Sequence, residues 1–395
     1  MGAEAKTIGL VLAQTPAYTE TFLVNKIKGL MENGFSVMVF TGKRGDRKFS
    51  LCREVTAYSV PTISWLKPAK IMAVLLLTVV RCPVRTWNFV RQEYSLSSRL
   101  TETIQHLFIS AHILPYKLHN LHFGFATLGV GRESLGKAMK VTLSTSFRGF
   151  DVSIYPLRNP TVYARLWKVL DKVHTISDDL YETALSLGLK STVPVHKITP
   201  AIEVRDFLYP NRTFNADEPV RILTVARLQW KKGLEVALDA MAILKERGVY
   251  FRYTIVGKGA EWERLEFARH QLGLTDEVEF TGALPHDQVK RLMREHDLYI
   301  QPSLQEGFCN SVLEAQASGM LCIVSNAEGL DENVLHEQTG WVVPKWDARL
   351  LADKIHEVSQ LSGKEKNSYS QSASSRVSEK FTLEKQTKAF TRFFW

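Results

Sequence analysis

Glu306 and Glu314 bracket the stretch Glu306-Gly307-Phe308-Cys309-Asn310-Ser311-Val312-Leu313-Glu314. An apolar run at 298–300 precedes it, and Gly319 closes the helix-length block behind it. The spacing therefore puts one carboxylate in a strand-to-helix loop and the other in the first turn or so of the helix. Amides at such a helix start have no carbonyl partner and attract phosphate. The two carboxylates accept hydrogen bonds only from donors such as hydroxyls. A nucleotide sugar meets both demands, with hydroxyls at its ends and a diphosphate between them. A simpler reading stays open: Ser311-Val312-Leu313-Glu314 fits a capping box, and Glu306 fits an ordinary loop acid.

A second set of groups lies upstream. Residues 221–226 read as a strand that delivers Arg227 at its carboxyl end, and Lys232-Gly233 open the next helix. An Arg fork and a Lys point charge beside a helix start suit a diphosphate. They would also stabilise the charge that grows on a departing nucleoside diphosphate. A solvated basic loop would look the same. Gly257-Lys258-Gly259 ends the following strand, where Gly257 would let backbone approach a nucleotide. A lone Gly-x-Gly is a weak signal by itself.

Alternating segments of strand and helix length must position these groups. In the first half, apolar runs at 7–13, 35–41, 140–144 and 172–176 predict strands, and 21–33 predicts a helix. In the second half, strands are predicted at 221–226, 250–256, 278–281, 298–301, 321–325 and 340–343. Helices are predicted at 234–247, 261–272, 286–296 and after 310. The pattern predicts an α/β fold of two Rossmann-like domains on parallel sheets, facing each other across a cleft. Ligands of such sheets sit at the carboxyl ends of strands. Pro210, Asn211, Asn215, Asp217 and Pro219 break both periods and place the boundary there. The expected domains are residues 1–209 and 210–377. Residues 378–395 form an aromatic helix that packs back toward the first domain.

Four scattered cysteines, Cys52, Cys82, Cys309 and Cys322, lack metal-site spacing. His119 and His122 lack zincin spacing, so no metal site is assigned to them; no metal and no cofactor are among the expectations for this chain. With no secretory signal pattern at the N-terminus, a reducing cytoplasm is the expected compartment. The net charge of +9 is uneven: residues 1–210 hold 26 Lys and Arg against 15 Asp and Glu, the remaining 185 hold 24 against 26. No recognition-helix, RNP or zinc-finger pattern accompanies the basic excess, which argues against nucleic acid. An anionic substrate or an anionic membrane surface remains. Trp65-Leu66-Lys67 leads into the apolar run 71–80, then Arg81, Arg85, Trp87, Phe89 and Arg91. Ten residues are too few to span a bilayer. Two readings fit: an interfacial helix, or a core helix with a basic solvent face, which is slightly favoured.

The ordered segments VARLQWKKGLEVALDAM, YTIVGKGAEWERLE, VEFTGALPHDQV, YIQPSLQEGFCNSVLEAQASG and GLDENVLHEQTGWVVP resemble retaining family 4 (group 1) glycosyltransferases of the GT-B fold. The resemblance is dense over residues 220–345. It implies that Arg227 and Lys232 bind the donor diphosphate and Glu314 the ribose. Glu306, with backbone from Gly307 to Asn310, would hold the sugar hydroxyls, and the amides near Ser311, Val312 and Leu313 would touch phosphate. The N-terminal half resembles the bacterial surface-polysaccharide (colanic acid/exopolysaccharide-like) branch through TPAYTETFLVNKIKGLMENGFSVMVFT, LHNLHFGFATLG and SFRGFDVSIYP. That likeness implies an acceptor-binding N-terminal domain and a cleft lined by Thr15, Tyr18, His122, Arg148 and Asp151. His122 joins Arg227, Lys232 and Glu306 as a catalytic candidate.

Two departures stand out. The first loop reads Gln14-Thr15-Pro16-Ala17 where many relatives carry Gly-Gly, and Pro200-Ala201-Ile202-Glu203 replaces a Gly-x-Asp element. The implied reaction transfers a hexose-type sugar from a nucleoside-diphosphate sugar to an oligosaccharide or lipid-diphosphate-linked acceptor. A cytoplasmic enzyme peripheral on the inner face of the membrane would follow. A nucleotide-sugar epimerase of the same fold and a non-catalytic sugar-binding scaffold are the competing readings.

Overall fold

The computed structural model describes residues 5–15, 21–43, 45, 49–59, 66–97, 99–209, 212–214 and 219–395. It divides into two units: residues 1–198 with 387–395, and residues 199–386.

Near-continuous apolar runs mark strands covered on both faces. The strands of the first unit are β1 (Thr7–Gln14), β2 (Ser36–Lys43), β3 (Arg53–Thr56), β4 (Asn120–Phe123), β5 (Thr142–Phe147), β6 (Lys172–Thr175) and β7 (Val195–Lys197), with β3 and β7 the polar, less buried edges. They form one parallel sheet in the order β3-β2-β1-β4-β5-β6-β7. Helix α1 (Thr21–Glu32) crosses from β1 to β2; α2 (Leu66–Arg81), α3 (Pro83–Ser97) and α4 (Leu100–Ser110) come between β3 and β4. Helix α5 (Leu135–Met139) precedes β5, and α6 (Asp178–Ser186) follows β6. One core joins Ile8, Leu10, Ile27 and Val39 to Phe390, Phe393 and Phe394 from the end of the chain.

The second unit repeats the plan. Its strands are β8 (Val220–Val225), β9 (Phe251–Val256), β10 (Val278–Gly282), β11 (Leu298–Gln301), β12 (Leu321–Ser325) and β13 (Trp341–Val343). Between them run α7 (Leu234–Glu246), α8 (Trp262–Gln271), α9 (His286–Glu295), α10 (Asn310–Ala317) and α11 (Leu330–Asn333). Helices α12 (Ala348–Ser359), α13 (Gly363–Lys380) and α14 (Leu383–Phe394) finish the chain. The sheet is parallel, in the order β10-β9-β8-β11-β12-β13. Chain order reverses between β8 and β11, and an open sheet leaves a crevice at the carboxyl ends there.

The structure corrects several expectations. Strands β3, β4 and β7 are short and carry Arg53, Glu54, Asn120, His122, His196 and Lys197, so no apolar run marks them. The boundary falls after Ile198 rather than after residue 209. Residues 199–209 join the second unit because Val204 and Phe207 are buried, Ile202 bridges Thr382 and Asp206 pairs with Lys290 on α9. The returning segment starts at Thr387, not at 378. Helix α13 runs through to Lys380, and Phe381-Thr382 break it from α14. Helix α2 is not a core helix with a basic solvent face: only Val74 and Thr78 are buried, while Met72, Leu76, Val79 and Val80 are exposed. Trp65 and Tyr18 lie outside the described residues.

Candidate active site

Two loops are pressed together at the reversal between β8 and β11. Leaving β8, Ala226 donates to Val256 and Leu228 donates to Lys258, at 2.9 and 3.0 Å. Gly257, at φ 149°, makes this approach possible, since a Cβ there would lie 1.8 Å from the Ala226 carbonyl oxygen. Gly233 does the same on the other side: at φ 62°, its Cβ would sit 2.0 Å from the Pro302 carbonyl. Only glycine accepts both the left-handed backbone and the contact. The Lys231 carbonyl accepts from Leu304 N–H at 2.8 Å.

This packing delivers the Lys232 ammonium onto the Glu306 carboxylate, both nearly buried. Burial pushes Lys232 toward the neutral form, but the adjacent Glu306 outweighs it and holds the ammonium above its ordinary range. Neighbouring Lys231 is lowered, chiefly by burial and then by its fellow cations, with Glu306 opposing. Arg227 is exposed, and its guanidinium has no hydrogen-bond partner among the described residues.

The loop after β11 is held from behind. Ser303 Oγ lies 3.4 Å from Glu306 Oε2, and the Glu306 amide donates to Glu328 at 2.8 Å. Glu328 in turn pairs with Lys345 at 3.3 Å. Asn333 clamps the start of α10, accepting from Cys309 N–H at 2.9 Å and donating to its carbonyl at 3.1 Å. The capping-box reading fails, because Cys309 is the N-cap residue and makes no side-chain cap. Ser311 Oγ instead donates to the Val225 carbonyl at 3.1 Å and sits 2.7 Å from the Tyr299 hydroxyl. Glu314 is the fifth residue of α10 rather than a first-turn residue. Its carboxylate has no hydrogen-bond partner among the described residues. Burial raises it to about 7, with Lys290 pulling the other way.

The chain thus gathers Arg227, Lys232, Glu306, Glu314 and the α10 start at one end of one sheet. Gly307, Phe308, Cys309, Asn310, Ser311, Val312 and Leu313 form the loop and first turn between the two glutamates. Gly257 lines the edge beside β8. Sequence reasoning missed Tyr299, Ser303, Glu328 and Asn333, which position the loop. Asn333 lies within the quoted GLDENV segment and Glu328 immediately precedes it, and that was their only signal. Among the described residues, no three His, Cys, Asp or Glu side chains cluster as a metal site.

The N-terminal candidates are not gathered in this way. His122, expected on a loop at a cleft, lies inside β4 and is 1% exposed. Its ring nitrogens sit 2.8 Å from Ser144 and Ser146, and its ring packs edge-on against Phe393 and Phe394. Burial, then the charge of Lys26, drives it well below the ordinary imidazole range. Asp151 is fully buried and accepts from the amides of Ala126 and Arg148, at 3.1 and 3.0 Å. Thr15 is buried between Glu54 and the Gly45 amide. Arg148 is half-buried, its guanidinium 3.7 Å from the Phe22 ring centre. Lys26, buried 3.3 Å from His122 Nε2, was not foreseen.

Two doubly wound parallel sheets, the second with charged side chains and a helix start gathered at the carboxyl ends of its strands, define a protein of the GT-B fold. Residues 208–376 match the family model of the group 1 glycosyl transferases, and over nearly its whole length the chain is similar to glycosyltransferases. It is 29% identical over 374 residues to the amylovoran biosynthesis glycosyltransferase AmsK of Erwinia amylovora, covering 88% of this chain and 89% of the relative. It is 29% identical over 375 residues to the putative colanic acid biosynthesis glycosyltransferase WcaL of Escherichia coli K12, covering 90% and 91%. Among solved structures, Anabaena Alr3699/HepE in complex with UDP and glucose has the same fold, with TM-score 0.70, 14% identity and 99% of each chain covered.

Proposed function

We propose that this protein moves a hexose-type sugar, with retention at the anomeric carbon, from a nucleoside diphosphate to a saccharide acceptor on a lipid carrier. The product would enter a cell-surface polysaccharide, as the names of the amylovoran and colanic acid relatives suggest. One juxtaposition carries the reading: the Lys232–Glu306 pair, exposed Arg227 and unpartnered Glu314 surround the start of α10. The UDP and glucose held by HepE support a nucleotide-sugar donor.

In this reading the diphosphate docks at the α10 start, where amides and the helix dipole favour anions. Glu314 accepts from ribose hydroxyls. Lys232 turns from Glu306 to phosphate, which frees Glu306 to accept from a sugar hydroxyl. The bond between the anomeric carbon and phosphate oxygen then breaks, and the acceptor oxygen bonds to the same face. The acceptor proton passes to the leaving phosphate, so no enzymic nucleophile is required. Arg227 and Lys232 stabilise the charge on the leaving group, a task for which no divalent metal is needed. The enzyme works in the cytoplasm, on the inner face of the membrane that carries the acceptor.

A panel of nucleoside-diphosphate hexoses tests this, first by thermal shift, then by NMR of the transferred sugar with and without EDTA. Retained configuration and metal-independent transfer support the proposal. An inverted product overturns retention. Turnover of the sugar nucleotide without any acceptor turns the assignment toward an epimerase.

A further inference from the structure

Helix α2 is apolar on both faces, with Val74, Ile71 and Leu75 in a cluster with Phe108 and Ala111 on the inner one. Its inner stripe carries Val74 and Thr78, followed at the turn into α3 by Cys82 and Thr86, all buried. The Thr78 and Thr86 hydroxyls are spent on the carbonyls of Val74 and Cys82. Its outer face, continued onto α3, is apolar: Val80 is 79% exposed, Val84 71%, Trp87 68%, Leu76 59% and Met72 58%. A water-facing helix normally shows the reverse, and a contiguous apolar patch on a soluble surface marks something that covers it.

Charge says what covers it. From Thr56 to Gln92 the sequence holds five basic residues, Lys67, Lys70, Arg81, Arg85 and Arg91, and no Asp or Glu. Arg81 and Arg91 are exposed at the patch. A second copy related by a two-fold axis would set this basic surface against itself. No helix among the described residues is long and apolar enough to cross a membrane.

We infer that the outer face of α2 and the first turns of α3 lie in the surface of an anionic phospholipid bilayer. Met72, Leu76, Val80 and Val84 enter the acyl boundary, and Trp87 sits at headgroup level. Arg81 and Arg91 reach back to lipid phosphates, whereas Arg85 is held by the carbonyls of Leu114 and Tyr116. The inference deepens the proposed inner-membrane location by naming the surface, yet it needs no donor sugar for its test.

The full chain, without nucleotide, is floated with phosphatidylglycerol vesicles and with phosphatidylcholine vesicles, at low and high salt. Flotation with phosphatidylglycerol that weakens with salt is expected. Leu76→Ser/Val80→Ser, exposed positions whose change leaves the fold intact, should lower vesicle affinity by about 10-fold or more. Arg81→Glu/Arg91→Glu should lower it by about 5-fold per residue at low salt and less at high salt. Absence of wild-type flotation at low salt overturns the inference, as does flotation unchanged by Leu76→Ser/Val80→Ser. A vesicle-free dimer that this variant converts to monomer also overturns it, because a second copy is then the occupant.

Discussion

The two sheets share the same order up to their sixth strand, and both reverse chain direction between their first and fourth strands. They use the polar residues around that reversal in opposite ways. In the second unit, Arg227 is exposed, Glu314 has no hydrogen-bond partner, and Lys232 and Glu306 are committed mainly to each other. In the first unit, Thr15, Asp151 and His122 are buried and spent on backbone amides, Glu54, Ser144 and Ser146. Topology creates the crevice in both. Which groups can serve a ligand is decided by whether the protein has already satisfied them.

The largest effects belong to the charged pair. Lys232→Ala leaves Glu306 facing an incoming diphosphate with no cation beside it. Glu306→Ala leaves Lys232 buried without its counter-charge and removes the hydroxyl acceptor. Each should lower kcat by about 10²–10³-fold, the range for losing one preorganised charge in a transition state. Steady-state transfer assays check this. Near-wild-type kcat in either variant breaks the contrast between the two reversals.

Next come the glycines that press the loops together. Gly233→Ala would force its Cβ into the Pro302 carbonyl, and Gly257→Ala into Ala226. Both also impose left-handed or extended-positive backbone on alanine, at a cost of about 1–3 kcal/mol each. Displacing Lys232 or Arg227 by an ångström should lower kcat/KM by about 10²-fold. Parallel thermal unfolding separates the strain from the mispositioning, because Gly248→Ala, at φ 71° with open space around it, carries strain without a clash at the site.

How far the sequence reached follows the same physics. The second unit was legible because its apolar strand runs alternate with helix-length blocks closed by glycines such as Gly248 and Gly319, so type, period and spacing agreed. Six predicted strands there match the observed ones to within one or two residues. The first unit hid β3, β4 and β7, short strands whose polar residues leave no apolar run, and His122 was read as a loop residue because β4 went unseen. Burial was not legible either. The aromatic tail was expected to pack back, but nothing local shows that Phe393 and Phe394 end against His122. Likewise, Ser311 and Glu314 fit a capping box in spacing, but Ser311 bonds to Val225 on β8 and Tyr299 on β11, and the Glu314 carboxylate has no hydrogen-bond partner among the described residues. Long-range contacts decided both cases.

Glu314 sharpens the comparison through pH. Its folded-state carboxyl is raised from 4.5 to about 7, so its contribution to stability is full below 4.5 and is lost as pH rises through about 7. At pH 8 the native state holds a poorly solvated charge that Glu314→Gln removes. The variant should therefore melt higher than wild type at pH 8 and alike at pH 4. Donor binding should move the other way: at pH 8 the variant loses an ionised acceptor for hydroxyls and binds several-fold more weakly. At pH 6 the wild type is largely protonated, and the gap should narrow. Thermal shifts across this range, with and without donor, measure both. A variant that melts lower at pH 8 would mean Glu314 is already paired.

The smallest effect on transfer is expected at His122. The ring is buried, neutral at physiological pH by direction of its shift, and bonded to Ser144 and Ser146. Replacing it by Gln keeps a donor and an acceptor but loses the edge-on contacts with Phe393 and Phe394. Stability should fall by about 1–3 kcal/mol, the cost of imperfectly satisfied buried polar groups. Transfer measured well below the melting temperature should keep its kcat and its pH profile. A large fall in kcat with an unchanged melting temperature would instead make His122 a catalytic residue. The first reversal would then be as functional as the second, and satisfied partners would be no guide to where chemistry happens.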